Sequence, residues 1–290
     1  MKKAKDEKND IKSPVSEAIR KFLKHKNSIV ALGYIVLLVL IAIFCYQIAP
    51  YGINEYDYSA VLQGPTAQHW FGTDEFGRDL LSRILCGTRI SLAVGLSSVS
   101  VGCIAGTILG LLSGYYGGML DSVIMRICDV LFAFPGLILA IAIVAILGNG
   151  LTNVVIAVAV FSTPTFARLV RSRTLELKDS VFVMAARGLG TSDVEILLRH
   201  ILPGAIPSII IQYTMSIGNS ILTASSLSFL GMGAVPPTPE WGLLLSNGRN
   251  YMMTDMFVTL FPGLAIFLTV LSFNILGDGL RDALDPKLMD

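Results

Sequence analysis

Long apolar stretches are the feature that most restricts how this chain can fold. Six of them recur along the 290 residues, and each is long enough to cross a hydrocarbon core about 30 Å thick. They run over Ser28–Ala49, Ile90–Gly114, Ser122–Gly148 (uncharged after Asp129), Leu151–Ala167, Ile206–Gly231 and Met256–Gly277. Because lipid offers no water to backbone groups, we expect each stretch to be helical. The sequence therefore predicts an all-α integral membrane protein with six transmembrane helices.

The composition agrees with a chain that lies mostly in lipid. Hydrophobic residues make up 53% of the chain and charged residues 15%, whereas a soluble domain has about 25% charged residues. The net charge of +1 gives no broad basic field for nucleic acid. The first apolar run is longer than a signal-peptide core of about 7–15 residues and ends at Pro50. We therefore expect it to be a retained membrane span.

Lysine and arginine residues predict the orientation of the chain. With the N-terminus in the cytoplasm and six alternating spans, seventeen of these residues fall inside and four fall outside. Both termini are therefore expected in the cytoplasm. The chain then divides into an N-terminal tail (1–27), a first helix with an external segment (28–89), a five-helix domain (90–280) and a C-terminal tail (281–290). The five-helix domain includes a cytoplasmic loop at 168–205.

The N-terminal tail has the pattern of an amphipathic helix. Ser13 is placed to cap it, and Pro14 suits its first turn. One face would carry Val15, Ala18, Ile19 and Phe22, with basic residues off that face. Such a helix would lie on an anionic membrane surface, and a disordered basic tail is the alternative.

Glycine recurs along one side of the second apolar run. The residues are Gly95, Gly102, Gly106, Gly110 and Gly114. A glycine face lets another helix approach closely in lipid, so we predict tight helix packing. A pore-lining face is the alternative interpretation.

The sequence carries no arrangement of residues that would catalyse a reaction or hold a cofactor or metal. It lacks the GxxxxGK[ST] phosphate loop, CxxC and HExxH. Charge inside the spans is limited to Arg126 and Asp129, which we expect to pair near the cytoplasmic end of the third span. This scarcity of intramembrane charge disfavours a proton-driven carrier. We therefore predict a non-catalytic protein.

The external segment after the first span carries five charges at helical spacing. They are Asp74, Glu75, Arg78, Asp79 and Arg83, and Thr73 is placed to cap a helix there. Carboxylates can perform acid–base chemistry, but no nucleophile or metal ligand accompanies these. We predict that they form a charged helix face in contact with water.

The charged stretch "MAARGLGTSDVEILLRHILPGAIP", residues 184–207, lies between the fourth and fifth runs. A short helix is predicted over Ser180–Arg187, and Gly188–Gly190 would end it. Ser192 and Glu195 form a capping box that would start a second helix. In that helix the apolar positions follow helical spacing and are Val194, Leu197, Leu198 and Ile201.

A capped amphipathic helix on the cytoplasmic side suits docking into the groove of a partner. A helix lying flat on lipid fits the same periodicity. A helix-turn-helix DNA reader is a third interpretation, which the tethering between two membrane spans disfavours.

The same stretch resembles the cytoplasmic loop of ABC importer permeases that is known as the EAA motif. The general form is EAA, three residues, Gly, nine residues, Ile, any residue, Leu-Pro. Its matching positions in this chain are Ala185, Ala186, Gly190, Leu202 and Pro203. Met184 and His200 depart from the Glu and Ile of the general form, as in the branch that imports peptides and nickel. Gly204 departs from the Asn that is frequent in that branch.

The resemblance extends over nearly all of residues 20–290. "HWFGTDEFGRDLLSRILCGTRISLAVG" resembles the entry segment of the second permease of this branch, and "SLSFLGMGAVPPTPEWGLLLSNGR" resembles its external loop. "NILGDGLRDALDP" resembles its C-terminal end. The resemblance implies a type I ABC importer permease of the dipeptide, oligopeptide and nickel group, with residues 90–280 as its transmembrane domain.

The resemblance also implies partners and a location. A second, related permease would pair with this chain, and two cytoplasmic ATPases would bind ATP and Mg²⁺ and power the pair. An external binding protein would deliver a peptide, nickel or a metal chelate. The chain would be a multi-pass protein of the bacterial cytoplasmic membrane. A secondary transporter or channel acting without ATPases is the alternative function, and a membrane-anchored scaffold is a third.

These implications assign two sets of contact residues. The loop that docks the ATPase would comprise Ala185, Ala186, Gly188, Gly190, Ser192, Asp193, Val194, Glu195, Leu197, Leu198, Arg199, His200, Ile201, Leu202 and Pro203. The external binding protein would contact Trp70, Asp74, Arg78, Trp241 and Arg249.

Overall fold

A computed structural model describes residues 20–23 and 25–284. The regular structure in these residues is helical, apart from one isolated bridge between Thr73 and Asp79. The helices are α1 (Lys26–Ile48), α2 (Leu80–Tyr116), α3 (Gly118–Phe132), α4 (Gly136–Leu147), α5 (Leu151–Lys178), α6 (Val181–Gly188), α7 (Asp193–Ile196), α8 (Leu202–Phe229), α9 (Trp241–Gly248) and α10 (Phe257–Leu284). A π-helical turn, Leu197–Ile201, joins α7 to α8. Most of the predicted tail helix lies outside the described residues.

Five of the described helices are long and apolar enough to cross a membrane. They are α1, α2, α5, α10 and the continuous helix Asp193–Phe229, which comprises α7, the π turn and α8. The third apolar run differs from the prediction of a single helical span, because it contains two helices, α3 and α4, that meet at an angle of 96°. Pro135 explains the break, since proline lacks an N–H and disfavours helical geometry at the residue before it.

The predicted glycine face packs tightly against other helices. A Cβ atom at Gly106 would lie 2.5 Å from the Thr163 carbonyl oxygen, and one at Gly110 would lie 2.6 Å from that of Ala167. Both neighbours belong to α5, so the backbones of α2 and α5 are in direct contact. Gly95 instead packs against Ile221 of α8. The close-packing prediction is confirmed for this face.

Contacts between helix ends show that the chain runs to and fro between two ends of the molecule. Lys178 at the end of α5 donates to the Gly114 carbonyl near the end of α2, so both helices end beside α6 and α7. At the opposite end, the Gly150 amide before α5 donates to the Met232 carbonyl after α8. The bent pair α3–α4 therefore connects one end of the molecule to the other.

Two ion pairs attach α3 to α5 near the end that carries α6 and α7. Arg171 donates two hydrogen bonds of 2.6 Å to Asp121, and Arg168 lies 2.5 Å from Asp129. The prediction that Asp129 pairs with Arg126 is wrong. Asp129 pairs with Arg168 of the facing helix α5 instead of a residue of its own helix.

Four of the five charges of the external segment are buried and Glu75 is half-buried, so the prediction of a solvated helix face is wrong. Helix α2 begins only at Leu80, where the Asp79 carboxylate caps it by accepting from the Ser82 amide at 2.8 Å. Asp74 accepts from the Arg78 amide and from its guanidinium at 2.7 Å. Arg83 donates to the carbonyls of Ile53 and Pro237. These pairings keep the side chains folded inward, because a buried charge is stable only with partners.

Candidate functional site

The charged loop folds as two short helices joined by a tight turn. Helix α6 ends in a Schellman motif, in which the Thr191 amide donates to the Ala186 carbonyl and the Gly190 amide donates to that of Arg187. Gly190 takes the left-handed conformation, with a φ of 83°, that this motif requires. The predicted glycine stop is therefore present, with Gly190 in the left-handed position.

The start of α7 is capped by half of the predicted capping box. The Ser192 hydroxyl accepts from the Glu195 amide at 3.4 Å. The Glu195 carboxylate lies 2.5 Å from Arg199, one turn onward, rather than reaching back to Ser192. This ion pair lies along the exposed side of the helix and supports it only modestly.

The predicted apolar face divides into a buried half and an exposed half. Leu197 and Ile201 are buried, together with Ile196, which the sequence pattern missed. These three pack in a cluster with Leu111, Val170 and Val183. Val194 and Leu198 remain 62% and 55% exposed. Leu197 and Leu198 are consecutive, so they cannot point to the same side of a helix.

An apolar surface is left uncovered on α6, the turn and α7. We call it the docking surface, and its members are Val181, Met184, Leu189, Val194 and Leu198. Leu189 is 87% exposed and Val181 is 78% exposed. A surface of large apolar side chains beside charged residues is typical of a site for a protein or membrane partner.

The other predicted loop residues surround this surface. Among them Ala186, like Leu197 and Ile201, is buried, while Glu195, His200 and Leu202 are half-buried. The exposed members are Ala185, Gly188, Gly190, Ser192, Asp193, Arg199 and Pro203.

One aromatic residue that the sequence pattern missed ties the two short helices to α2. The Tyr115 hydroxyl donates to the Asp193 carboxylate at 2.5 Å and accepts from Arg187 at 3.3 Å. The guanidinium of Arg187 also lies over the Tyr115 ring, 5.5 Å from its centroid. The hydrogen bond with Tyr115 raises the pKa of Arg187. Both short helices are thus held at the end of one membrane helix.

The second short helix continues directly into a long one. Asp193–Phe229 forms 37 residues of helix, and the π turn Leu197–Ile201 lies just before Pro203. A wider turn accommodates a proline ring that would otherwise clash with the carbonyl four residues earlier. Arg173 of α5 donates to Ser208 at 2.9 Å and fixes the start of α8. A displacement of the docking surface would therefore be passed to α8.

The predicted external contacts differ in their accessibility. Trp70 is 69% exposed, and Arg249 is exposed above the ring of Phe229. Asp74 and Arg78 are buried in the charged cluster, and Trp241 is buried, donating to the Ile84 carbonyl at 3.0 Å. A partner at this surface would therefore touch Trp70 and Arg249 but not the side chains of the other three. In the charged cluster that contains Asp74 and Arg78, burial raises the pKa of the Glu75 carboxyl.

Across residues 20–23 and 25–284 no cluster of three or more His, Cys, Asp or Glu side chains is placed to hold a metal.

These features define a multi-pass membrane protein with an apolar docking surface that is continuous with a membrane helix. The chain belongs to the family described as binding-protein-dependent transport system inner membrane component, whose sequence model matches residues 106–290. Residues 13–65 match a second model, the N-terminal transmembrane domain of oligopeptide transport permease C. The chain is thus an ABC permease of the oligopeptide and dipeptide type.

Curated relatives cover almost the whole chain. The glutathione transport system permease protein GsiD of Pectobacterium atrosepticum is 56% identical over 279 residues, which is 96% of this chain and 93% of the relative. GsiD of Escherichia coli O6:K15:H31 is also 56% identical, over 97% of this chain and 93% of the relative.

Solved ABC transporters share the fold. An inward-facing structure of the methionine transporter MetNI superposes with a TM-score of 0.58 at 20% identity, over 71% of this chain and 98% of that one. A crystal structure of an amino acid ABC transporter with histidines gives a TM-score of 0.52 at 17% identity, over 68% of this chain and 92% of that one. At these low sequence identities, the structural similarity indicates a shared fold and nothing more.

Proposed function

We propose that this chain is one of two permease subunits of an ATP-driven importer for short peptides in a bacterial cytoplasmic membrane. The names of its relatives support a peptide substrate, since glutathione is a tripeptide and the N-terminal family model is that of an oligopeptide permease. These names favour a peptide over nickel or a metal chelate.

The proposed topology has six membrane crossings with both termini in the cytoplasm. The bent pair α3–α4 makes the third crossing, because it connects opposite ends of the molecule. The excess of lysine and arginine supports a cytoplasmic position for α6, α7 and both tails. Ser28 of α1 contacts Ile275 of α10, which is consistent with termini on one side.

The observation that carries the proposal is the docking surface. Its underside is anchored by buried Ile196 and Ile201, while Val194 and Leu198 project outward one turn apart. An exposed apolar stripe on a capped, anchored helix suits insertion into a protein groove. The partner we infer is a cytoplasmic ATPase that binds ATP and Mg²⁺, two copies of which would serve this chain and a second, related permease.

In the proposed mechanism the chain performs no chemistry and acts as a lever. Closure of the ATPases on ATP would move the docking surface, and the continuous helix Asp193–Phe229 would carry that motion into the membrane. ATP must favour one arrangement by binding it more tightly than the other. An external binding protein would deliver the peptide near Trp70 and Arg249.

Replacing exposed apolar residues of the docking surface with aspartate tests the proposal. We expect Val194→Asp and Leu198→Asp each to abolish co-purification of the ATPase, because a carboxylate would be buried without a partner. Met253→Asp is the matched control, since Met253 is 97% exposed in the segment before α10 at the opposite end. Leu198→Met should retain the ATPase.

Two results would contradict the proposal. The first is full ATPase attachment and normal uptake in both aspartate variants. The second is peptide uptake by the purified chain alone in liposomes without ATP, which would indicate a secondary transporter or channel.

A further inference from the structure

Asn219 is a polar side chain in an unusual place. It is exposed on α8, and its neighbour Gly218 packs against Val270, midway along the uncharged part of α10. Among the described residues, the Asn219 side-chain amide has no hydrogen-bond partner. The Thr223 hydroxyl donates to the backbone carbonyl of Asn219, not to its side chain. A carboxamide facing hydrocarbon without partners would be costly. This face of α8 therefore does not lie against lipid.

The exposed face of α10 shows what a lipid-facing surface of this chain looks like. Between Phe257 and Gly277 its exposed residues are only leucine and phenylalanine, namely Leu260, Leu264, Phe267, Leu268 and Leu271. By contrast, the face of α8 that carries Asn219 continues through Thr223 and Ser226 at intervals of one helical turn. We call Asn219, Thr223 and Ser226 the polar stripe.

The break between α3 and α4 exposes backbone at a similar depth. Residues Phe132, Ala133, Phe134 and Pro135 are all exposed. No hydrogen bond in the described part of the chain ends on the carbonyls of Phe132, Ala133 or Phe134. Gly136 lies against the ring of Phe161, within the uncharged part of α5. Open carbonyls at such a depth are tolerated where they line a watery cavity or are covered by protein.

The last residue of the polar stripe and a residue just after the break line the same cleft. A cleft of about 310 Å³ is lined by Leu137 from the start of α4 and by Leu222 and Ser226 from α8. Helices α4 and α8 both run away from the end of the molecule that carries the docking surface. Asn219 lies one turn before Leu222, and Phe134 lies just before Leu137. Asn219 and the break at 132–135 therefore lie next to the cleft along their helices, on the side toward the docking surface.

We propose that this cleft is the part of the translocation path that this chain supplies, and that Asn219 hydrogen-bonds the main chain of the passing peptide. The proposal deepens the proposed function and rests on it. Hydroxyl, carboxamide and carbonyl groups are neutral and can pair with peptide N–H and C=O groups of any sequence. The cleft lining carries no charge, so it would not select among peptide side chains by their charge.

Cysteine labelling tests whether the polar stripe faces water. In a chain whose four cysteines are replaced by alanine, Asn219→Cys and Phe267→Cys are each treated in membranes with a charged, membrane-impermeant thiol reagent. We expect the reagent to modify position 219 and leave position 267 unmodified, because Phe267 faces lipid. In the complete assembly, the thiol-free tripeptide γ-glutamyl-alanyl-glycine should slow labelling at position 219.

A kinetic variant tests the hydrogen bond itself. We expect Asn219→Leu to raise the KM for uptake of the same tripeptide about tenfold, as for loss of one buried hydrogen bond. Co-purification of the partner permease and ATPase should be unchanged, and Asn219→Gln should restore much of the uptake. If Asn219 had only a structural role, Asn219→Leu would reduce assembly of the transporter and leave the KM unchanged.

The outcomes separate the two proposals. If position 219 resists the reagent as position 267 does, or if Asn219→Leu leaves the KM unchanged, the cleft is not the peptide path and the stripe is covered by another subunit. If the unmodified assembly shows no ATP-dependent uptake while position 219 is labelled, the water-facing path stands and the proposed transport function fails.

Discussion

The Tyr115 hydroxyl, at the end of α2, lies 2.5 Å from the Asp193 carboxylate at the start of α7. This hydrogen bond joins the first residue of the long helix Asp193–Phe229 to a helix that packs on α5 through glycine. The docking surface is therefore connected to two membrane helices, directly through α8 and laterally through Tyr115.

Removing this link should weaken coupling without releasing the ATPase. We expect Tyr115→Phe to reduce ATP-driven uptake by about fivefold at most, the effect of one exposed hydrogen bond, because Asp193 would lose its tether to α2. Tyr116→Phe is the control, since the Tyr116 hydroxyl makes no hydrogen bond among the described residues. Uptake per ATP hydrolysed in proteoliposomes is the measurement, and an equal loss in both variants would contradict the role of Tyr115.

The contact between α2 and α5 should not tolerate a methyl group at Gly106. A Cβ atom there would meet the Thr163 carbonyl at 2.5 Å and the Phe166 Cβ at 2.6 Å, so the helices must separate. We expect Gly106→Ala to destabilise the protein by about 1–3 kcal/mol, seen as a lower melting temperature of the purified chain.

Gly33→Ala is the control for the glycine prediction. A Cβ atom at Gly33 meets nothing within 4 Å, so the substitution should be neutral or slightly stabilising in a helix. Equal melting temperatures for Gly106→Ala and Gly33→Ala would show that the glycine face does not govern packing.

The buried charge cluster should depend on Arg83. Its guanidinium lies 3.4 Å from Asp74 and donates to the carbonyls of Ile53 and Pro237, which come from distant parts of the external segments. We expect Arg83→Met to cost about 1–3 kcal/mol, because the two carbonyls would lose their donor, although Asp74 keeps its closer partner Arg78. Limited proteolysis of the external segment would report the loss.

Arg89→Met serves as the control for the charge cluster, since Arg89 is exposed on the same helix. Proteolysis of Arg83→Met at the unmodified rate would mean that Arg83 does not hold the external segment together.

The apolar runs, the docking loop and the family resemblance were predictable from the sequence because they depend on local composition and spacing. Helix α6 begins at Val181 after Ser180, and Gly190 takes the positive φ that its motif needs. The bend at Pro135 was within reach of the same reasoning, since an apolar run that contains proline need not be straight.

Other features depend on tertiary contacts that spacing does not reveal. Asp74, Arg78 and Arg83 have helical spacing, yet they are buried. Asp74 pairs with Arg78, and Arg83 donates to the carbonyls of Ile53 and Pro237, which are distant in sequence. Ile196 is buried rather than Leu198, because Leu111 and Val170 determine which side of α7 faces the bundle. The role of Tyr115 could not be inferred, since 78 positions separate it from Asp193.

Site-specific photo-crosslinking tests most directly whether a separate ATPase binds the docking surface. A photoreactive amino acid at position 198 in native membranes should crosslink to a nucleotide-binding subunit. The same probe at position 146, where Ile146 is 84% exposed at the opposite end of the molecule, should not. Crosslinks from position 198 to lipid alone would contradict the account.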